Sequence, residues 1–188
     1  MTIEVKQKNF DLFIRKLNQI GVETDSLVSE FGEMIQNGTF TLNGTSEICG
    51  DGTLIEIILK VLTPYAVNLN NLFPEEKRVD QNTLVKVCLL HQIAKAIRII
   101  PNDNQWEIEK RGLLYKYDSN QPSIRTGLHS LIIAQKCGIN FSAEEAEAMT
   151  INDRDLTDEQ SRWHSSILAS IVRQASEMTY LQYNDQHK

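Results

Sequence analysis

Cysteine is scarce in this chain. Cys49, Cys88 and Cys137 are three widely separated residues with no Cys-x-x-Cys pair. That pattern argues against a disulfide framework and against a cysteine-rich zinc site. Cys88 and Cys137 lie in apolar surroundings and read as small core residues. Proline and glycine are also few, 4 and 9 among 188 residues, too few for a fibrous or disordered chain. There is no internal repeat and no low-complexity segment. No window approaches the roughly 20 apolar residues that a membrane-spanning helix needs. The opening "MTIEVKQKNFDLFIRKL" is broken by charges and does not read as a secretory leader. A soluble, cytoplasmic protein with no membrane partner is the expectation. Basic charge is in deficit, with 19 Lys and Arg against 25 Asp and Glu and a net charge of −6. Nucleic-acid binding rests on neutralising phosphates, so this balance argues against it. Gly-x-Ser-x-Gly and Gly-x-x-x-x-Gly-Lys are both missing, which removes two common catalytic signatures. "GDG" at 50–52 is a turn signal.

What is present is a helical pattern in an ordinary globular composition, 41% hydrophobic and 23% charged. A single domain over residues 1–188 is expected, with its core in about 24–183 and a flexible tail at 184–188. Phe10, Phe13, Ile14, Leu17 and Ile20 recur at helical spacing before Gly21. A second helix runs from a Thr24 or Asp25 cap to a Gly38 stop. Residues 37–52 read as an irregular loop, with an extended piece at 39–42. "TLIEIILKVLTPYAVNLNNLF" reads as a helix buried on several sides and interrupted near Pro64. "DQNTLVKVCLLHQIAKAIRII" is the strongest helix, closed by Pro101 and Asn102. Residues 106–123 alternate Leu113, Tyr115 and Tyr117 with other residues and read as a β-hairpin arm or extended excursion. "RTGLHSLIIAQKCGI" is a short helix, Ser142 and Glu145 form a capping box, and a long helix from about Asp158 closes the chain. The fold class expected is all-α with a small extended, hairpin-like insertion.

The chemistry-bearing stretch is "LLHQIAKA", residues 89–96, which sets His91 beside Gln92 with Lys95 one turn later. Catalytic cations want imidazoles and carboxylates converging from separate helices. Together with "DGTLIEIIL", "EKRGLLYKY" and "TGLHSLIIAQK", this stretch resembles the HD-domain phosphohydrolases, closest to a bacterial and phage branch, over roughly residues 30–180. The resemblance implies an HD-domain-like helical bundle. It places that family's metal ligands at Ile57, His91, Gln92, Thr126, Asn152 and Ser176. Of these only His91 is a ligand type; Lys95 matches the family's lysine. One imidazole beside a neutral amide cannot offset a divalent charge, and the carboxylate that would help activate water is missing. A gap in the alignment could recruit Glu56, Asp153 or Glu177 beside His91.

Other residues were weighed against this set. His129, His164 and His187 read as a surface or helix-side position, a polar helix position and a tail residue, and none has a second His at i+4. Lys86, Lys95, Arg98, Lys110, Arg111 and Lys116 form the most basic region. Lys95 and Arg98 with Arg111 and Tyr115 could line a pocket for a phosphate. "DRDLTDEQ", 153–160, lacks the spacing of a calcium loop and reads as a solvated loop.

Three functions follow as expectations. The first is a catalytically degenerate HD-domain-like protein that binds a nucleotide, another phosphate-bearing molecule or a protein partner through His91, Gln92, Lys95, Arg98, Arg111 and Tyr115, with no cofactor. The second is an active metal-dependent phosphohydrolase with shifted ligands, in which His91 and Lys95 are the catalytic candidates. The third is a helical interaction module whose cleft is dry and apolar.

Overall fold

A computed structural model describes residues 1–42, 44, 46–153 and 165–184. Helix α1 (Ile3–Gln19) starts at Thr2, whose hydroxyl accepts from the Val5 N–H. It turns Phe10, Phe13 and Leu17 into the core. The core therefore begins ahead of the residue-24 boundary drawn from sequence, because this apolar stripe has the rest of the bundle to pack against. Gly21 takes a left-handed φ of 81° and turns the chain toward α2 (Asp25–Asn37). Gly38 ends α2 for a different reason. Its φ is −58°, which any residue adopts, but a Cβ there would lie 3.0 Å from both the Ala96 and Leu54 side chains. Close packing, not a left-handed turn, calls for glycine at this position.

The threonine-rich loop folds on its own hydroxyls. Thr53 Oγ1 accepts from the Phe40 N–H at 3.0 Å and donates to the Gly50 carbonyl at 2.8 Å, while Thr39 Oγ1 accepts from the Gly50 N–H. These bonds hold Phe40 in the core. The expected extended piece at 39–42 is not a strand; its ladder-like contact is the Tyr115 N–H donating to the Leu42 carbonyl. Next comes α3 (Thr53–Ile57), a π-helical turn (Ile58–Leu62) and α4 (Thr63–Asn71). The interruption expected near Pro64 is this π turn, in which the Thr63 N–H reaches back five residues to the Ile58 carbonyl. Leu54, Ile55, Ile57, Ile58 and Leu62 are all enclosed, as the multi-sided apolar pattern requires.

Helix α5 (Gln81–Leu90) is capped by Asp80, which accepts from the Thr83 N–H at 2.9 Å. The single helix expected through residue 100 stops here. The Ala94 N–H, which would continue the helix by bonding Leu90, instead donates to Ser130 Oγ at 3.0 Å. A four-residue turn, 91–94, follows, then α6 (Lys95–Arg98) and strand β1 (Ile99–Pro101). The first third of the segment expected to form a hairpin arm is helix: α7 (Gln105–Arg111) is capped by Asn104 and ended by Gly112 at φ 64°. Tyr115–Tyr117 alone forms β2, paired antiparallel with β1 so that Ile100 faces Lys116. Among the described residues the fold is thus mostly helical with one two-stranded sheet, and the sheet's first strand comes from the end of the segment expected as helix.

Helix α8 (Thr126–Lys136) and helix α9 (Ala143–Thr150) follow, α9 opening with the expected Ser142–Glu145 capping box. A 3-10 turn (Ile151–Asp153) comes next, and α10 (Ile167–Asn184) packs its Leu168, Val172 and Ala175 side against α4 and α9. Cys49, Cys88 and Cys137 are buried and unpaired. Among the described residues no helix is long and apolar enough to cross a membrane. Trp163, His164 and His187, the acidic stretch beyond Asp153 and the tail beyond Asn184 lie outside the described residues.

Candidate functional site

The break after Leu90 creates the site. It ends the helix at His91 and turns Gln92 and Lys95 toward a cavity of about 240 Å³. Thr126 and Gly127 at the start of α8, Met149 near the end of α9, and Asn152 and Asp153 in the 3-10 turn after it, line the same cavity. Tyr117 and Tyr180, 58% and 37% exposed, stand where it meets solvent.

His91 is 1% exposed and fully bonded. Its Nδ1 lies 3.2 and 3.1 Å from the Val87 and Cys88 carbonyls, which are acceptors only, so the proton sits on Nδ1. Nε2 is then an acceptor. The Gln92 amide donates to it at 3.0 Å, and Ser176 Oγ stands at 3.2 Å. The Ser176 proton serves either that nitrogen or the Val172 carbonyl at 2.9 Å. Asn152 Nδ2 donates to Ser176 Oγ at 3.0 Å. Burial is the main cause that lowers the His91 pKa to about 4, helped by the nearby Lys95 charge and opposed by the two carbonyls. The network is neutral at neutral pH. Gln92 Oε1 is buried and has no hydrogen-bond partner among the described residues.

Lys95 supplies the cavity's amine. Nζ donates to the Phe40 carbonyl at 3.0 Å and lies 2.6 Å from the Tyr180 hydroxyl. It also sits 3.9 Å from the Phe40 ring centroid and 5.0 Å from that of Tyr180. Burial lowers its pKa to about 7.

Asp153 lines the cavity with its charge already engaged. Its Oδ1 accepts from the Gly127 N–H at 3.0 Å and Oδ2 from the Leu128 N–H at 2.7 Å. It is an N-terminal cap for α8 delivered from another element. Gly127 permits this docking, because a Cβ would fall 2.4 Å from the Met149 carbonyl oxygen and 2.9 Å from Asp153 Oδ2.

The positions singled out from sequence sort clearly. His91, Gln92, Thr126 and Asn152 line one cavity, and Ser176 is bonded to two of them. Ile57 does not line it. Ile57 is enclosed and borders a separate cavity of about 410 Å³ with Glu56 and Lys60. The fallback carboxylates do not gather at His91: Glu56 pairs with Lys60 at 2.5 Å, Asp153 caps α8, and Glu177 pairs with Arg173 at 3.8 Å. Arg111 is exposed and pairs with Glu107, and the Tyr115 hydroxyl donates to Asp51, so neither lines the cavity as expected. Arg98 reaches the site only through the ring of Tyr117, 5.7 Å away. Lys86 and Lys116 are ion-paired elsewhere, with Glu145 and Asp103. His129, expected at a surface or helix-side position, is on helix α8 and 8% exposed. Burial, then the charge of Arg98, lowers its pKa.

Phe40, Gly127 and Tyr180 were not read as site residues. Tyr180 could have been found, since it stands one helical turn beyond Ser176 on the same face. Phe40 carried no signal in its loop.

Comparison with protein-family models, with curated proteins and with solved structures returned no match.

These residues do not fit a divalent cation. Among the described residues no three of His, Cys, Asp and Glu stand together. The one imidazole nitrogen facing the network already accepts the Gln92 amide, and the one carboxylate at the cavity is bonded to a helix N-terminus.

Proposed function

We propose that the chain is a catalytically degenerate, HD-domain-like protein that binds a small phosphate-bearing molecule in the His91 cavity and does not hydrolyse it. One observation carries the reading. Five of the six positions that the resemblance gives to metal ligands, the adjacent His91 and Gln92 with the distant Thr126, Asn152 and Ser176, meet around one cavity and its hydrogen-bond network, while Ile57 stands apart. Four of the five, Gln92, Thr126, Asn152 and Ser176, are neutral side chains where metal ligands would be charged or basic, and Gln92, Asn152 and Ser176 join His91 in one hydrogen-bond network. The anion-binding role falls to Lys95, with the Thr126 hydroxyl and Asn152 amide as further donors. Ordinary ligand pockets run from about 300 to 1,000 Å³. At about 240 Å³ this one encloses a phosphate and a short carbon chain, and a nucleotide would leave its base outside, beyond Tyr117.

Two experiments test the two halves. Ethyl phosphate should raise the melting temperature of the wild type and leave Lys95→Met unmoved. At a concentration one hundred times Kd the gain is about 2.7 kcal/mol. No rise with any phosphate monoester would remove the binding reading. For the ancestry, Gln92→Asp, Asn152→His and Ser176→Asp together should lower stability by several kcal/mol without metal, because two carboxylates are buried unpaired. Manganese should restore it. A triple variant indifferent to manganese would count against the HD-domain geometry.

A further inference from the structure

Two other lysines with largely covered side chains have counterions: Lys6 meets Asp51 and Lys86 meets Glu145. Lys95 has none among the described residues. Its Nζ sits instead between the rings of Phe40 and Tyr180, bonded to a backbone carbonyl and a phenol, in the wall of the His91 cavity. Enclosure without a carboxylate favours the free amine over the ammonium, and the free amine carries the lone pair. The Phe40 carbonyl and the ring faces oppose this in part, yet the pKa still falls from 10.5 to about 7. A substantial share of Lys95 is therefore neutral at neutral pH, whereas an exposed lysine is almost wholly charged.

We propose that Lys95 is a nucleophilic amine that condenses with an aldehyde or ketone entering the cavity, forming an imine. The inference rests on the reading of the cavity as a site for small phosphate-bearing molecules and adds a carbonyl group to that ligand class; in such a molecule Lys95 meets the carbonyl and the Thr126 hydroxyl and Asn152 amide hold the phosphate. The Nζ lone pair attacks the carbonyl carbon and the π pair moves onto oxygen. The Tyr180 hydroxyl, 2.6 Å from Nζ, gives that oxygen a proton and takes one from the nitrogen. A second exchange of the same kind lets the hydroxyl leave as water while the C=N bond forms. Amine and carbonyl become imine and water, with no change of oxidation state.

The test uses the full chain, glycolaldehyde phosphate and sodium cyanoborohydride at pH 7, with reduced adducts mapped by mass spectrometry. Lys95 should label about tenfold or more faster than the exposed Lys8 and Lys77 of the same molecules. Lys95→Arg should leave only the background labelling. Lys95 labelling no faster than Lys8 in the wild type overturns the inference, whether or not the arginine variant folds. Phosphate-free glycolaldehyde separates the two readings. Selective labelling of Lys95 by both aldehydes supports the imine and withdraws support from phosphate recognition. A thermal shift with ethyl phosphate but no selective adduct sinks the imine and leaves the binding reading standing.

Discussion

Asp153 offers the sharpest prediction, because sequence suggested a metal ligand and the structure makes it a cap. Its two oxygens accept the Gly127 and Leu128 N–H groups at 3.0 and 2.7 Å. Those donors are among the orphan groups of the first turn of α8. Replacing an N-terminal cap by alanine costs about 0.5–2 kcal/mol, and the lost charge at a helix N-terminus adds about 0.3–1 kcal/mol. Asp153→Ala should thus lower stability by about 2 kcal/mol. Asp153→Asn keeps an acceptor without the charge and should cost about 1 kcal/mol. In a domain of this size each kcal/mol moves the midpoint by about 2–4 °C, so the alanine variant should melt about 4–8 °C lower. Urea denaturation with an unchanged slope is the assay. The loss should be the same with and without added manganese. A cost under about 0.5 kcal/mol would refute the cap, and a cost seen only with manganese would return Asp153 to the metal-ligand role.

Further outcomes follow from the same geometry. Gly127→Ala should cost about 2 kcal/mol or more, since the clash is with a backbone carbonyl, whereas Gly112→Ala, with open space but φ 64°, should cost about 1–2 kcal/mol; paired denaturation curves compare them. Lys86→Ala strands the nearly buried Glu145, which Lys86 meets at 2.9 Å, and should destabilise by about 3 kcal/mol with little dependence on salt. His91 binds its proton less readily folded, at a pKa of about 4 against 6.5. The unfolded chain then holds more protons between these values, so stability is full above about pH 6.5 and falls as pH drops toward 4. The His91 share of that fall is about 3 kcal/mol, read as the difference in slope between wild type and His91→Gln across that window.

Much of the helical framework was legible because it depends on near neighbours. Apolar spacing placed α1, α2 and α8, and local caps such as Asp80 and the Ser142–Glu145 box declared helix starts. Two of the misreadings have a nonlocal cause, and the third is local. Residues 84–100 carry a continuous helical pattern, but Ser130, on another helix, takes the Ala94 N–H and stops it. Ile99–Pro101 becomes a strand because Tyr115–Tyr117 arrives beside it. Trp106 to Arg111 is helical through the Asn104 cap, which alternating tyrosines nearby had obscured.

The sequence by itself determined which side chains are neutral at the positions that the resemblance gives to metal ligands, since Gln92, Asn152 and Ser176 carry no charge in any fold. It also marked His91 and Lys95 as the pair to watch. Only the tertiary structure decided what surrounds them. A hydrogen bond from the Ala94 N–H to a distant serine bends the chain after His91, and a carboxylate that looked like a ligand caps a helix. Lys95 meets two ring faces and no acid among the described residues. Such partners lie tens of residues away along the chain, and packing alone brings them within reach.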